Sequence, residues 1–323
     1  MKAIRIHNFG PTEEVLQYED VPVPEPKSGE VLIKVEAASL NRADLGLRKG
    51  AYRISPDQLP VIPGRECAGT IEKLGANISE FKIGQRVVGY PSLGGYAEYA
   101  VAKTAEVRPI PDDVTSAQAA ALPTAFLTAW FGLKTDGNLK TGEWLLVQGG
   151  SSGVGTAAIQ IAKHFGAKVI ATTGSEEKAR RLRQLGADVT IHVSQDDFLP
   201  EVRRVTNQRG VDVVLEMIGG EVYQKSLQAL APGGRLVSSG GAFGAIPDSP
   251  PALTEGRKAT RFSLTNYLKA KPEDFKELDE ILKLVAEKKF QVVFGKTFPL
   301  AETRAAQRYL EGREHFGKVL LTM

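Results

Sequence analysis

A single cysteine, Cys67, stands in 323 residues. No internal disulfide is available, and a multi-cysteine zinc site is excluded. Histidine is scarce as well: His7, His164, His192 and His315 lie far apart without ligand spacing. They read as surface or packing residues. No apolar run approaches the length of a membrane span, and the N-terminus lacks the hydrophobic segment of a signal peptide, so a cytoplasmic protein is expected. An excess of charge is also missing, with 41 basic against 38 acidic residues, so nothing calls for a nucleic-acid partner or a membrane surface. Arg180, Arg181 and Arg183 form a small basic cluster that reads as a solvated helix face. There are no repeats or low-complexity segments, and no Ser/His/Asp set or paired carboxylates at a catalytic spacing.

What is present is organised around Val147-Gln-Gly-Gly-Ser-Ser-Gly-Val-Gly155. An apolar run, Trp144 to Val147, precedes it and suits a buried parallel strand. The small and apolar residues from Thr156 to His164 suit a helix laid on a sheet; Gly166 ends it, and Lys168 to Thr172 reads as the next strand. Strand, glycine turn, helix and strand make the first unit of a dinucleotide-binding fold. Residues without bulk let backbone N–H groups approach a pyrophosphate at the positive end of a helix. In a strict G-x-G-x-x-G reading Gly150 and Gly155 match, while Ser152 holds the second place.

The length allows two domains. The first 120 or so residues read as β-rich, with strands at Met1–His7, Val31–Ala37, Ala68–Leu74, Gln85–Tyr90 and Gly95–Val101, each bounded by turn residues. Helical pattern follows at Ser116–Leu122 and, after an interruption at Pro123, at Thr124–Leu133. Beyond the glycine turn come a helix near Glu176–Leu185, a strand at Val211–Leu215, a helix near Tyr223–Ala231, a connecting turn at Pro232–Gly234 and strands at Arg235–Ser239 and Thr260–Leu264. A helix at Pro272–Lys288, a strand at Val292–Phe298, a helix at Ala301–Leu310 and a strand at Lys318–Leu321 return the chain to its first domain. The fold class expected is α/β.

Several separated stretches resemble one family. They are Ser39 to Asp44 with Arg48 to Tyr52, Pro63 to Gly69, Gly84 to Gly89, Gly94 to Glu98, Ala121 to Thr128, the glycine turn, and Gly317-Lys318. Together they resemble the zinc-free quinone oxidoreductases of the medium-chain dehydrogenase/reductase superfamily, the group that includes ζ-crystallin. The resemblance implies a doubly wound Rossmann sheet (124–265) inserted in a GroES-like β-rich domain (1–123 and 266–323), usually as a homodimer. Zinc-dependent relatives place a cysteine and a histidine where this chain has Asn41 and Arg65, both poor zinc ligands. Glu66 remains but cannot hold a metal alone, so no metal is expected.

An NAD-selective site puts a carboxylate at the tip of the second strand. Here that tip reads Ala171-Thr-Thr-Gly-Ser175, with no acid, and Ser175 with Lys178 suits a 2′-phosphate. Glu176 and Glu177 read as first-turn residues of a helix. The family's adenine-side tyrosine is replaced by Val193. NADPH is therefore the expected cofactor, on Gly150, Ser152, Gly153, Val154, Gly155, Thr173, Ser175 and Lys178. The resemblance adds Asn41, Thr128, Met217, Ser239, Gly240, Gly241, Ser263, Leu264, Gly317 and Lys318. Without a metal, the acceptor must be polarised by hydrogen-bond donors or be intrinsically reactive. Tyr52 is the candidate catalytic donor with Asn41; Asp44 orders the loop, and Tyr96 and Phe243 are candidate pocket walls. The expected activity is reduction of quinones or α,β-unsaturated carbonyls. The alternatives are an enoyl-thioester reductase, which shares the Asn41, Asp44 and Tyr52 pattern, or a nucleotide-binding structural or RNA-binding protein without turnover. The absence of a basic, aromatic-interleaved stretch argues against RNA. Tyr267 and Lys271 mimic the Tyr-x-x-x-Lys pair of short-chain dehydrogenases, but those enzymes begin with the nucleotide fold.

Overall fold

The structure is a computed structural model that describes residues 1–51, 54–193, 197–241, 244–247, 249 and 251–323. The chain divides into two compact units, Met1–Thr124 with Leu268–Met323, and Ala125–Tyr267.

In the first unit the elements run β1 (Lys2–Ile6), β2 (Leu16–Asp20), β3 (Glu30–Leu40), α1 (Arg42–Arg48), β4 (Cys67–Leu74), β5 (Arg86–Gly89), β6 (Tyr99–Lys103), β7 (Val107–Pro109) and α2 (Ser116–Ala120). Helix α3 (Pro123–Phe131) carries the chain into the second unit. There follow β8 (Trp144–Val147), α4 (Gly153–His164), β9 (Lys168–Thr173), α5 (Glu176–Gln184), β10 (Val189–His192), α6 (Phe198–Val205), β11 (Val211–Glu216), α7 (Gly220–Gln228), β12 (Leu230–Ser238), β13 (Lys258–Arg261) and α8 (Leu264–Ala270). The return to the first unit adds α9 (Glu277–Ala286), β14 (Phe294–Pro299), α10 (Thr303–Glu311) and β15 (Lys318–Thr322).

The second unit is a parallel sheet in the order β10-β9-β8-β11-β12-β13. Counted from β8, that is the doubly wound 3-2-1-4-5-6 order, and it reverses between β8 and β11. Helices cover both faces of such a sheet, so its central strands carry apolar residues without alternation. β11 is buried along its whole length, and β9 everywhere but Lys168. All five connections bring the strands' carboxyl ends to one edge, which is where ligands of wound sheets sit.

The first unit is a mostly antiparallel sheet, β14-β15-β3-β4-β5-β7, with β6 also pairing with β3. β3 and β15 are antiparallel neighbours: Leu40 pairs with Val319 and Ser39 with Leu320. That register sets Lys318, at the start of β15, beside the end of β3. A core of Ile4, Leu16, Ile33, Ile71, Val87, Val319 and their neighbours fills this unit.

The local structure departs from the sequence expectation at two places. Arg42–Arg48 is a helix that the apolar pattern did not announce; the Asp44 carboxylate accepts the Asn41 N–H at 2.7 Å, and Asp44 N–H donates to Asn41 O at 3.0 Å, which closes the first turn. Pro232–Gly234 is not a turn between a helix and a strand: α7 stops at Gln228, and the triplet lies within β12, bulging out of register where the pairing jumps from Leu230 to Arg235. The break expected at Pro123 does separate two helices, and Pro123 itself opens α3, as proline does where its missing N–H has no intrahelical acceptor. Among the described residues no helix is long and apolar enough to cross a membrane.

Candidate functional site

The glycine turn leaves β8 and enters α4 at the sheet edge. Ser152, in the place of the second glycine, is the N-cap of α4: its Oγ accepts the Gly155 N–H at 3.0 Å and donates to Gly149 O at 2.8 Å. The N–H groups of Gly153 and Val154 have no acceptor inside the helix and stand at its positive end. Gly155 is needed for close approach, because a Cβ there would lie 2.5 Å from Gly149 O and 2.6 Å from Gly150 O. The turn is tied to β9 by Gly150 N–H to Thr172 O at 2.8 Å and Gly149 N–H to Thr172 Oγ1 at 3.1 Å.

Thr173 ends β9, buried, and among the described residues its hydroxyl has no hydrogen-bond partner. A buried hydroxyl left unpaired is costly, and a ligand oxygen or a water could satisfy it. Ser175 caps α5, its Oγ accepting the Lys178 N–H at 3.2 Å; this bond does not use the serine O–H. Glu176 and Glu177 lie in the first turn of α5, and Glu176 is paired with Arg183. Val193, 44 % exposed, follows β10 and donates its N–H to Thr173 O.

At the same edge, β11 ends in Glu216, a fully buried carboxyl pushed above its ordinary value by burial. It accepts the N–H groups of Ile218 at 2.7 Å and Gly219 at 3.1 Å, which holds the turn after Met217. Its backbone oxygen accepts the Ser239 N–H at 2.8 Å, so Met217 and Ser239–Gly241 hang from one anchor. Ser263 and Leu264 begin α8 just beyond β13, where Phe262 N–H donates to Ser238 O. Thr128 is buried within α3. Glu216 was absent from the sequence reading; an acid closing an apolar strand was its only signal.

The first unit holds a side-chain network. Glu66, fully buried just before β4, accepts four hydrogen bonds: from Asn41 Nδ2 and Lys318 Nζ, each at 2.7 Å, from Ser39 Oγ, and from Thr124 N–H at 2.6 Å. Burial alone would raise this carboxyl, but the Lys318 ammonium and the other donors take it below the ordinary carboxylate value. Lys318 also donates to Leu40 O at 3.0 Å and Asn41 Oδ1 at 2.6 Å. Asn41 and Lys318, both expected in the site, are thus brought together from 277 positions apart. Gly317 has a packing reason instead: a Cβ there would lie 2.2 Å from Val293 O.

Asp44, next to this network, accepts Tyr96 Oη–H and Asn41 N–H, both at 2.7 Å. Burial raises its pKa to about 6, against the opposing pull of those two hydrogen bonds. Tyr96, expected as a pocket wall, is instead a fully buried core residue bonded to Asp44. Tyr52 and Phe243 lie outside the described residues. The donor set around Asn41 does not fit zinc: the ammonium of Lys318 already points at the oxygens of Asn41 and Glu66 that would face a metal. Among the described residues no group of three or more His, Cys, Asp or Glu could hold one.

Two family models match the chain, one described as an alcohol dehydrogenase GroES-like domain over residues 27–112 and one as a zinc-binding dehydrogenase over residues 153–294. A quinone oxidoreductase of Sus scrofa is 34 % identical over 100 % of this chain and 98 % of its own. The Escherichia coli quinone oxidoreductase, solved in complex with NADPH, superposes with a TM-score of 0.92 at 29 % identity, over 100 % of both chains. A mycobacterial protein solved with NADPH gives 0.91 at 33 %, again over 100 % of both.

Proposed function

Because the chain belongs to the quinone oxidoreductase family of the medium-chain dehydrogenase/reductase superfamily, we propose that it is an NADPH-dependent, zinc-independent reductase of quinones or α,β-unsaturated carbonyls. The observation that carries this reading is the carboxyl edge of the wound sheet. There a capped helix N-terminus with two N–H groups to spare, a buried unpaired threonine hydroxyl and a strand tip without a carboxylate occur together.

The residues suit the coenzyme as follows. Gly150, Ser152, Gly153, Val154 and Gly155 would hold the pyrophosphate. Thr173, Ser175 and Lys178 would hold the 2′-phosphorylated ribose, with Lys178 as the point charge. Thr128, Met217, Ser239, Gly240, Gly241, Ser263 and Leu264 would serve the nicotinamide half. The bound coenzyme supplies the hydride. On the side of the acceptor, Asn41 offers an amide N–H to an oxygen that gains charge, and Tyr52 keeps the donor role that its place in the chain implies. A quinone needs little polarisation beyond this, which suits a site organised by an ammonium–carboxylate pair. The expected assembly is a homodimer, which light scattering after gel filtration would check.

The test is to follow NADPH and NADH oxidation with panels of quinones, enals and enoyl thioesters. Quinone- or enone-dependent oxidation with a clear NADPH preference is expected. Binding of NADPH with no turnover on any acceptor would overturn the reading, and turnover confined to enoyl thioesters would replace its substrate class.

A further inference from the structure

We infer that Glu66 is the positioning residue of the site, a role that rests on the reductase reading and names what holds Asn41 in place. The two carboxylate oxygens divide the work. Oε1 takes Ser39, Asn41 and Lys318, and Oε2 takes the N–H of Thr124 in the first turn of α3. One carboxylate therefore joins the end of β3, the residue before α1, the start of β15 and the start of α3.

The consequence for Asn41 is a fixed amide. Its Oδ1 faces the Lys318 ammonium at 2.6 Å and its Nδ2 faces Glu66 at 2.7 Å. A flipped amide would set oxygen against carboxylate and N–H against ammonium, so the charges choose the orientation. One N–H of the half-buried amide remains for a ligand. Lys318 has three donors, and Leu40 O, Asn41 Oδ1 and Glu66 Oε1 use all three. Its work is therefore also positioning, and of these three side chains Asn41 is the one with hydrogen-bonding capacity left to touch a ligand.

The experiment is Glu66→Gln, read by kinetics and by NMR of the Asn41 side-chain amide, assigned through Asn41→Asp. Glutamine must turn its NH2 either toward Thr124 N–H or toward the three donors on the other side, so at least one contact is broken in either rotamer. Expected is a kcat lower by about a hundredfold with a smaller change in KM. The Asn41 amide pair should be sharp in the wild type and broadened or averaged in the variant. Kinetics and amide signals both unchanged would overturn the inference. Should Glu66→Gln fail to fold, Ser39→Ala keeps the charge and removes one bond; a several-fold lower kcat with a perturbed Asn41 signal supports the inference, and no change in either overturns it. The amide signal does not need turnover, so an inactive wild type with a Glu66-dependent Asn41 signal would sink the reductase reading alone.

Discussion

The two units build their candidate residues from different materials. The edge of the wound sheet is built from backbone: N–H groups at a helix start, a glycine where a Cβ would strike two carbonyl oxygens, and hydroxyls at strand ends. The first unit is built from charged and amide side chains, with Glu66 accepting four hydrogen bonds beside Lys318, Asn41 and Ser39. Backbone geometry is robust to pH and tolerant of sequence except at the glycines. The side-chain network depends on one ammonium meeting one carboxylate in a buried place. The second design should therefore fail more steeply on mutation and carry the pH dependence.

That contrast is broken most directly by Lys318→Met. Removing the cation leaves Glu66 buried and unpaired, at a cost of about 3–5 kcal/mol in urea denaturation. The sign of the pH dependence should also change. With its depressed pKa, Glu66 in the wild type contributes stability above the ordinary carboxylate range and loses it as the pH falls through the folded value. In the variant its pKa rises, and stability is lost as the pH rises.

Asp44 already behaves that second way. Its folded pKa of about 6 lies above the ordinary value of 3.8, so its contribution is complete below the lower value and is lost as the pH rises through the upper one. At neutral pH the penalty is on the order of 2–3 kcal/mol. Both hydrogen bonds reach the same oxygen, Oδ2, so an amide oxygen placed there accepts them both. Asp44→Asn should thus be tolerated, and stability measured from pH 4 to 8 should flatten. A steeper loss in the variant would contradict the assignment.

In the other unit, Gly155→Ala should destabilise the fold by about 1–3 kcal/mol, because the Cβ meets two backbone oxygens, and weaken NADPH binding by about tenfold; urea denaturation and fluorescence titration measure the two. The smallest change expected is Thr173→Val, which removes the unpaired hydroxyl. The free protein should hold or gain stability, while NADPH affinity falls by about 1 kcal/mol. Equal losses in both would show that the hydroxyl has a protein partner rather than a ligand.

The same contrast explains what the sequence disclosed. The parallel sheet was legible because its strands are short apolar runs separated by helices, and the glycine turn because close backbone approach admits few residue types there. Ser152 was misfit only to a pattern; as an N-cap it performs the turn's own chemistry. Glu66 was set aside as a carboxylate that could not bind metal alone, because its partner Lys318 lies 252 positions away and no local period links them. Helix α1 is hard to see in the sequence because it is only seven residues long and its start rests on one turn between Asn41 and Asp44. Tyr96 passed for a pocket wall because an aromatic beside glycines looks the same in sequence whether its hydroxyl faces a ligand or, as here, Asp44. Backbone-built sites leave a mark on neighbouring residues, whereas side-chain networks are written in tertiary register.

The most direct measurement is NADPH oxidation by a quinone such as 1,4-naphthoquinone, with protein stripped of metal by a chelator and assayed beside NADH. NADPH-preferring oxidation that survives chelation is the predicted result. Loss of activity on chelation with recovery on adding zinc, or NADPH that binds yet reduces no acceptor, would contradict it.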